Sequence, residues 1–184
     1  MVSGESDDFR AESDIPVPPG PPAVVQSTVM LRVVIPALEG TASIGTAGLM
    51  DALIKADKAW ALSAGANAAR VFEVRLVGLN RRPVQCRDGV RLHPSEVARE
   101  IRVPDLVVVP GLDDDVAESF ALNRRWAAWI GRWHAAGARI ASSCTGAFLV
   151  AESGVLHGRP ATTHWLFAGE LRAAIRRSTS GLIG

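Results

Sequence analysis

The sequence has no long apolar run and no secretory signal. None of its apolar stretches approaches the roughly 20 residues that a membrane-spanning helix needs. Its first residues lack a basic segment followed by an apolar core, which is the pattern of a signal peptide. We therefore expect a chain that has no membrane partner.

Cysteine is scarce. Only Cys86 and Cys144 occur, and they lie far apart without metal-ligand spacing around them. This usage argues against a structural disulfide and against a metal site, and it favours a reducing, cytoplasmic setting. Nothing in the sequence calls for a cofactor either.

An excess of positive charge is also missing. Lysine and arginine number 20 against 19 acidic residues, so the formal net charge is +1. The sequence has neither a basic stripe nor a pair of helices typical of a helix-turn-helix, and we expect no direct nucleic-acid binding by this chain alone. Its 184 residues suit one globular domain.

The first 27 residues are rich in proline and acidic side chains. Pro18, Pro19, Pro21 and Pro22 are crowded together, and most of the charges before them are negative. Such a segment cannot bury enough apolar area to offset the entropy of ordering. Residues 1–27 are therefore predicted to be a disordered tail, and 28–184 the domain.

Strand patterns alternate with helical patterns along that domain. The strands are predicted at 29–35, 71–77, 105–109 and 138–141, with a hairpin over 83–92 that turns at Asp88–Gly89. The helices are predicted at 49–60, from a Ser95 cap to Glu100, from about 116 to 136 with Gly137 as its stop, and from Cys144 to Gly154.

Three tryptophans share one face of the helix predicted over 116–136. Trp126, Trp129 and Trp133 lie at positions i, i+3 and i+7. This stripe could stack against a ligand, but a packed core or a subunit contact is the interpretation we favour.

Cys144 follows a predicted strand and begins a predicted helix. Ser142 and Gly146, two positions either side, are small enough for a crowded turn. This pattern is typical of a nucleophile elbow with sulfur in place of a hydroxyl, and the dipole of the new helix favours the thiolate. The alternative is a small buried cysteine that closes a core strand.

The alternation of buried-type strands with helices predicts an α/β fold, a doubly wound, mostly parallel sheet flanked by helices. Ligands bind such sheets beyond the carboxyl ends of the strands. Gly111 and Cys144 both follow strands there, so two separate turns are expected to meet at one site.

Three segments carry a resemblance to a known family: Leu49–Leu53, Leu106–Gly111 and, most specifically, Ala141–Trp165. The chain resembles the ThiJ/PfpI superfamily, with its flavodoxin-like, class I glutamine-amidotransferase-like fold. Within it, the chain is most similar to the amidase-like N-terminal domain of GlxA-type AraC-family transcriptional regulators. The resemblance covers about residues 28–172.

The resemblance implies a homodimer and a small-molecule pocket. Cys144 would be the nucleophile or reactive thiol of that pocket. The ligand-binding residues carried over by motif are Gly111, Leu112, Thr145, Gly146, His164 and Trp165. Backbone N–H groups of Leu112 and Thr145 could serve as oxyanion donors.

The chain departs from the family pattern in three ways. The carboxylate that catalytic members place after the first strand is missing near Gly45, and Glu39 would have to reach across a turn to replace it. Thr145 stands where peptidase-like members have histidine; the regulator branch and the isonitrile-hydratase-like branch carry threonine there. After about residue 172 the match weakens, so the domain is read as C-terminally truncated, without the helix-turn-helix domain.

These observations leave four hypotheses open. The first, which we favour, is a small-molecule-sensing, non-catalytic domain of an AraC-type regulator. The second is a cysteine-dependent hydrolase or hydratase acting on a small amide, isonitrile or aldehyde, with His164 or His134 as the candidate proton acceptor. The third is a redox sensor at Cys144. The fourth is a remnant that does not fold stably.

Overall fold

The structure is a computed structural model that describes residues 30–64 and 69–180. The predicted tail, residues 1–27, lies outside the described residues. Seven strands and five helices follow one another in the described part of the chain. The strands are β1 (Leu31–Pro36), β2 (Phe72–Gly78), β3 (Val84–Gln85), β4 (Arg91–Leu92), β5 (Glu96–Val97), β6 (Leu106–Val109) and β7 (Arg139–Ser142). The helices are α1 (Ser43–Ala64), α2 (Val116–Asn123), α3 (Arg125–Ala135), α4 (Ala147–Glu152) and α5 (Ala168–Ser180).

Five of the strands form one parallel sheet in the order β5-β2-β1-β6-β7. The central strand β1 contains Val33, Val34 and Ile35, all fully or almost fully buried, as expected for a strand covered on both faces. The two short strands β3 and β4 pair antiparallel as the predicted hairpin, which turns at Gly89 with a φ of +85°.

Helices cover both faces of the sheet. Side chains of α1 pack on one face around Ile35 and Leu76. Helices α2 to α5 enclose a larger core on the other face, where Trp126, Ile130 and Leu149 are buried. The predicted doubly wound, mostly parallel α/β fold is confirmed, and the tryptophan stripe belongs to the core: Trp126 and Trp133 are buried, and Trp129 packs on them.

Two predicted helices differ from the structure. Helix α1 begins at Ser43, earlier than the predicted residue 49, and includes Gly45 and Gly48. The single helix predicted over 116–136 is two helices that meet at Arg124. Asn123, the last residue of α2, is buried and bonded to the backbone of Glu39, so a tertiary contact ends α2 where sequence periodicity continues.

The helix predicted from Ser95 is wrong. Residues 96–97 form β5, which pairs with β2, and only a 3-10 turn follows at Ala98–Glu100. The Ser95 hydroxyl donates to the carbonyl oxygen of Leu76 and caps no helix. The predicted strand that leads to the elbow is confirmed as β7, but it is less buried than the buried-type strands expected of the sheet, because three of its four residues are exposed at the sheet edge.

In the part of the chain that the structure describes, no helix has the length and apolar character to cross a lipid bilayer.

Candidate functional site

Cys144 occupies a sharp turn directly after β7. Its φ is +50°, and among the described residues no other non-glycine residue has a positive φ. This left-handed conformation is sterically unfavourable for a side chain with a Cβ and is held only by the surrounding structure. The residue is exposed, with its thiol free of any disulfide. The geometry is that of an elbow, and the alternative of a buried core cysteine does not apply.

The turn is fixed by backbone contacts with the end of β6. The Ser143 N–H donates to the carbonyl oxygen of Val109 at 2.9 Å, and the Gly146 N–H donates to that of Ser143, also at 2.9 Å. Gly146 lies so close to Pro110 that a Cβ at position 146 would be 2.3 Å from the Pro110 carbonyl oxygen. A Cβ added at Gly111 would lie 3.4 Å from the Cβ of Cys144. The two strand ends therefore meet at one place.

A buried side chain adds a second connection. The Thr145 hydroxyl donates to the carbonyl oxygen of Leu112 at 2.8 Å. The N–H groups of Leu112 and Thr145 donate to no other group in residues 30–64 and 69–180. Both residues are buried on the two turns that meet at the elbow, where an oxyanion or a ligand carbonyl would need such donors.

The segment that carries the predicted site residues His164 and Trp165 contacts the elbow through Thr163, which was not itself a predicted site residue. The Thr163 hydroxyl donates to the Cys144 carbonyl oxygen at 3.0 Å. The next residue, His164, uses its ring to accept from the Leu166 N–H at 3.4 Å and packs against Trp165 and Phe167. Trp165 is 79% exposed. His164 therefore caps a 3-10 turn, and Trp165 is open to solvent beside it.

No acidic or imidazole group bonds to the Cys144 sulfur among the described residues. The Glu39 carboxylate accepts from the Gln85 N–H at 3.0 Å, and Gly45 lies in the first turn of α1. The His134 ring contacts the carbonyl oxygen of Ala138. His93 and His157 are exposed. The described residues also contain no group of three or more side chains arranged to hold a metal ion.

Charged residues from the hairpin approach the same end of the sheet. The half-exposed Arg87 guanidinium pairs with the mostly buried carboxylate of Asp113, which comes just after Gly111 and Leu112 in the chain. The Asp88 carboxylate binds the Ser43 N–H at 3.0 Å, and bonds from Ser43 hold the pKa of Asp88 below its usual range. Sequence analysis missed this connection, because no local pattern links residues 45 positions apart.

The second cysteine is not part of this site. Cys86 is buried in the hairpin, and its N–H donates to the Val90 carbonyl oxygen. Burial raises the pKa of its thiol, and the negative charges of Asp88 and Glu39 raise it further. Cys86 is therefore a neutral, shielded thiol.

A groove of about 880 Å³ lies beside the elbow, between α2, α4 and α5. Phe148, four residues after Cys144, and Phe167, three residues after His164, are part of its wall, but none of the predicted site residues is. Trp165 instead borders a hollow of about 340 Å³ together with Thr163.

Residues 31–179 match the DJ-1/PfpI family, and the chain belongs to that family. The isonitrile hydratase of Pseudomonas putida is 31% identical over 103 residues, which are 52% of this chain and 41% of that protein. The chain spans 41% and 65% of the length of two curated relatives that it matches.

Solved structures of regulators share the fold. A protein of Vibrio parahaemolyticus assigned to the transcriptional regulators has a TM-score of 0.62 at 25% identity, over 79% of this chain and 73% of that one. An AraC-family transcriptional regulator of Pseudomonas putida has a TM-score of 0.59 at 22% identity, over 78% of this chain and 72% of that one.

Proposed function

We propose that this DJ-1/PfpI-family chain is the small-molecule-sensing domain of an AraC-type transcriptional regulator, and that it binds its ligand without turning it over. The observation that carries the proposal is the setting of Cys144. Its thiol stands at an elbow, but among the described residues no proton-accepting side chain bonds to it. Nucleophilic catalysis by cysteine needs such a partner.

The ligand site in this proposal lies at the carboxyl ends of β6 and β7. Leu112 and Thr145 offer backbone N–H groups to a carbonyl or similar acceptor of the ligand, beside the Cys144 thiol. The Gly111 and Gly146 backbones form the close-packed floor. Trp165 supplies an aromatic surface beside His164. This donor set suits a small, uncharged molecule with one polar acceptor, such as an amide.

Signal transfer follows from the connection between the elbow and α5. Thr163 is bonded to the Cys144 carbonyl, and α5 begins five residues later. A ligand that binds one arrangement of the 161–167 segment better than another shifts the population of α5 positions. The action of a transcriptional regulator also requires the cytoplasm as its setting.

Binding and turnover can be measured together. Acetamide, methyl isocyanide and propanal, one probe for each ligand class, are titrated by calorimetry and followed by proton NMR over hours. We expect saturable binding of at least one probe, with no product. Trp165→Ala should weaken that binding about fivefold, a typical effect of losing one aromatic contact. Cys144→Ala should retain most of it. Product that disappears in Cys144→Ala would contradict the sensing proposal.

The second candidate is a cysteine-dependent hydrolase or hydratase of a small amide, isonitrile or aldehyde. The exposure and left-handed backbone of Cys144 favour it, as does the relation to an isonitrile hydratase. With an amide, the sulfur would add to the carbonyl carbon, the amine would leave with a proton, and water would hydrolyse the thioester to the acid and the free thiol. With an isonitrile, S–H would add to the terminal carbon, and water would add to the resulting thioimidate and expel the thiol, leaving a formamide. With an aldehyde, S–H would add to the carbonyl as a hemithioacetal, and water would replace the thiol to give the hydrate. Turnover of one of the three probes, abolished by Cys144→Ser, would establish this function.

A homodimer is part of the same proposal. Helix α1 exposes Ile44, Ile54 and Leu62, and Leu62 is 87% exposed. Ile44 and Leu62 lie on the same side of the helix, which suits contact with a second copy. Light scattering after size exclusion should give twice the chain mass for the parent protein, and the single mass for Ile44→Lys/Leu62→Lys. A monomeric parent would contradict this part of the proposal.

A further inference from the structure

The groove between α2, α4 and α5 has a shape that could accommodate a further α-helix. Helix α4 packs against both α2 and α5, and so forms the floor between two walls. The groove measures about 880 Å³. Side chains enter it at helical spacing: Val116 and Phe120 from α2 are four positions apart, and Glu170 and Ala174 from α5 are also four apart. Each of the two helices therefore lines the groove with a row of side chains along its axis, and such rows form the contacts between packed helices.

The floor of the groove is aromatic. Phe120, Phe148 and Phe167 come from three different elements and border the same space. Phe120 and Phe167 are only partly buried, so part of their apolar surface faces the groove. Covering the apolar surface of an open groove with a second apolar surface lowers the free energy, because both surfaces are removed from water.

The rim of the groove is acidic. Asp114, Asp115, Glu152 and Glu170 border it, against a single cation, Arg124. Arg124 is already paired with Glu152 at 2.7 Å. Glu170 has no ion-pair partner in the described part of the chain. The Asp114 carboxylate lies 3.6 Å from the Arg87 guanidinium, and its side chain is almost fully exposed, so this pair is loose. The net charge around the opening is therefore negative.

We propose that this groove binds an amphipathic α-helix of a partner protein, with its apolar stripe on the three phenylalanines and basic side chains toward Asp114 and Glu170. The pattern is helix-in-groove recognition, in which apolar anchors give affinity and rim charges give orientation. The chain's own first 29 residues do not match this occupant, because Arg10 is their single basic residue and Pro18, Pro19, Pro21 and Pro22 oppose a helix. The proposal does not depend on whether Cys144 is catalytic.

A designed peptide tests the proposal on the full chain. The probe is a fluorescein-labelled, amidated 15-residue peptide of leucine and lysine, with the leucines at i, i+3, i+4 and i+7 on one helical face. Fluorescence anisotropy in 50 mM and 300 mM NaCl measures binding. We expect a dissociation constant on the order of micromolar, weakened about fivefold by the higher salt because rim charges are screened.

Matched variants locate the binding surface. Phe120→Asp and Glu170→Lys should each weaken binding about tenfold. Leu122→Asp and Glu118→Lys, on α2 but outside the groove, should leave it within twofold. Circular dichroism checks that each variant is folded. Since Glu170 is exposed, its variant stays informative if Phe120→Asp unfolds.

Four results would overturn the inference. The first is no binding of the peptide up to 1 mM. The second is equal binding of a peptide with the same composition in scrambled order, which has no apolar face. The third is equal loss of affinity in the groove variants and their controls. Displacement of the peptide by dodecylammonium at concentrations below that of the peptide would assign the groove to a small amphiphilic cation instead, and would also overturn it.

Discussion

The backbone of Gly146 lies directly against the carbonyl group of Pro110. A Cβ atom at position 146 would approach the Pro110 carbonyl oxygen to 2.3 Å and that of Val109 to 2.7 Å. Neither neighbour is a flexible side-chain end, so neither can move aside at low cost. The elbow and the end of β6 are thus packed backbone against backbone, and this contact sets the floor of the candidate site.

Gly146→Ala is therefore expected to destabilise the protein. The added methyl group should lower the free energy of unfolding by about 1–3 kcal/mol, as overpacking of a tight contact does. Urea unfolding followed by tryptophan fluorescence measures the change. Gly48→Ala is the matched control, because it lies inside α1 with open space around it. There, alanine should stabilise the helix by about 0.5–1 kcal/mol. Equal effects at both positions would contradict the contact.

The two cysteines should differ sharply in reactivity. Cys144 is exposed, whereas Cys86 is buried with a raised pKa, since burial and the nearby Asp88 and Glu39 disfavour its thiolate. Iodoacetamide should modify the native protein once, at Cys144. Cys86 should react only after urea unfolding. Peptide mass spectrometry assigns the labelled residue. Native labelling of Cys86 at a rate similar to that of Cys144 would show that the hairpin does not shield it.

The sequence was sufficient to predict four of the five strands of the parallel sheet, because β1, β2, β6 and β7 each carry a local signal that the two-residue β5 lacks. Val33, Val34 and Ile35 are β-branched and apolar, and Pro36 marks their end. The elbow was predictable for the same reason, since the small residues around Cys144 are adjacent in the chain. The hairpin turn at Gly89 is also encoded locally.

Features that depend on distant residues were not predictable. Asn123 interrupts a continuous helical pattern because it binds Glu39, 84 positions away. Thr163 reaches the elbow across 19 positions, although the sequence pointed to its neighbour His164. In both cases the partner is a backbone carbonyl, which leaves no side-chain pattern to recognise. The exposure of β7 was not predictable either, because its composition does not reveal that it lies at the edge of the sheet.

Asn123 connects α2 to the segment after β1, and its loss should be costly. Its amide donates to the carbonyl oxygens of Glu39 and Ser119, both at 2.8 Å, and accepts from the Glu39 N–H at 2.9 Å. The residue is 2% exposed, so water cannot easily replace these partners. Asn123→Ala should lower the free energy of unfolding by about 2–4 kcal/mol, since one buried and two partly buried backbone groups lose their partner. Chemical denaturation at neutral pH measures the loss.

A second substitution separates hydrogen bonding from volume. Asn123→Leu fills a similar space but makes none of the three bonds, and it should be destabilising to a similar degree. Leu122→Ala, at the exposed neighbouring position, should change stability by less than about 0.5 kcal/mol. If Asn123→Leu were as stable as the parent, packing alone would explain the position.

Asp57 should make the free energy of unfolding depend on pH in the acidic range. This α1 carboxylate accepts the N–H groups of Val71 at 2.5 Å and Phe72 at 3.2 Å, and it also pairs with Arg70. The Val71 bond is the main reason that its pKa lies below the usual range. A carboxyl group whose pKa is lower in the folded state stabilises the protein above its unfolded pKa of about 3.9. That contribution is lost as the pH falls toward the lower folded value.

The comparison of Asp57→Asn with the parent tests this dependence. At pH 7 the variant should be less stable by about 1–2 kcal/mol, since a neutral amide is a weaker acceptor than a carboxylate and keeps one oxygen. Between about pH 5 and pH 2 the parent should lose stability more steeply, so the difference between the two narrows. Asp51→Asn, which removes one charge from the same helix at the exposed pair with Lys55, controls for net charge. If the free energies of unfolding of the parent and Asp57→Asn changed with pH in parallel, the carboxylate would not be stabilising the start of β2.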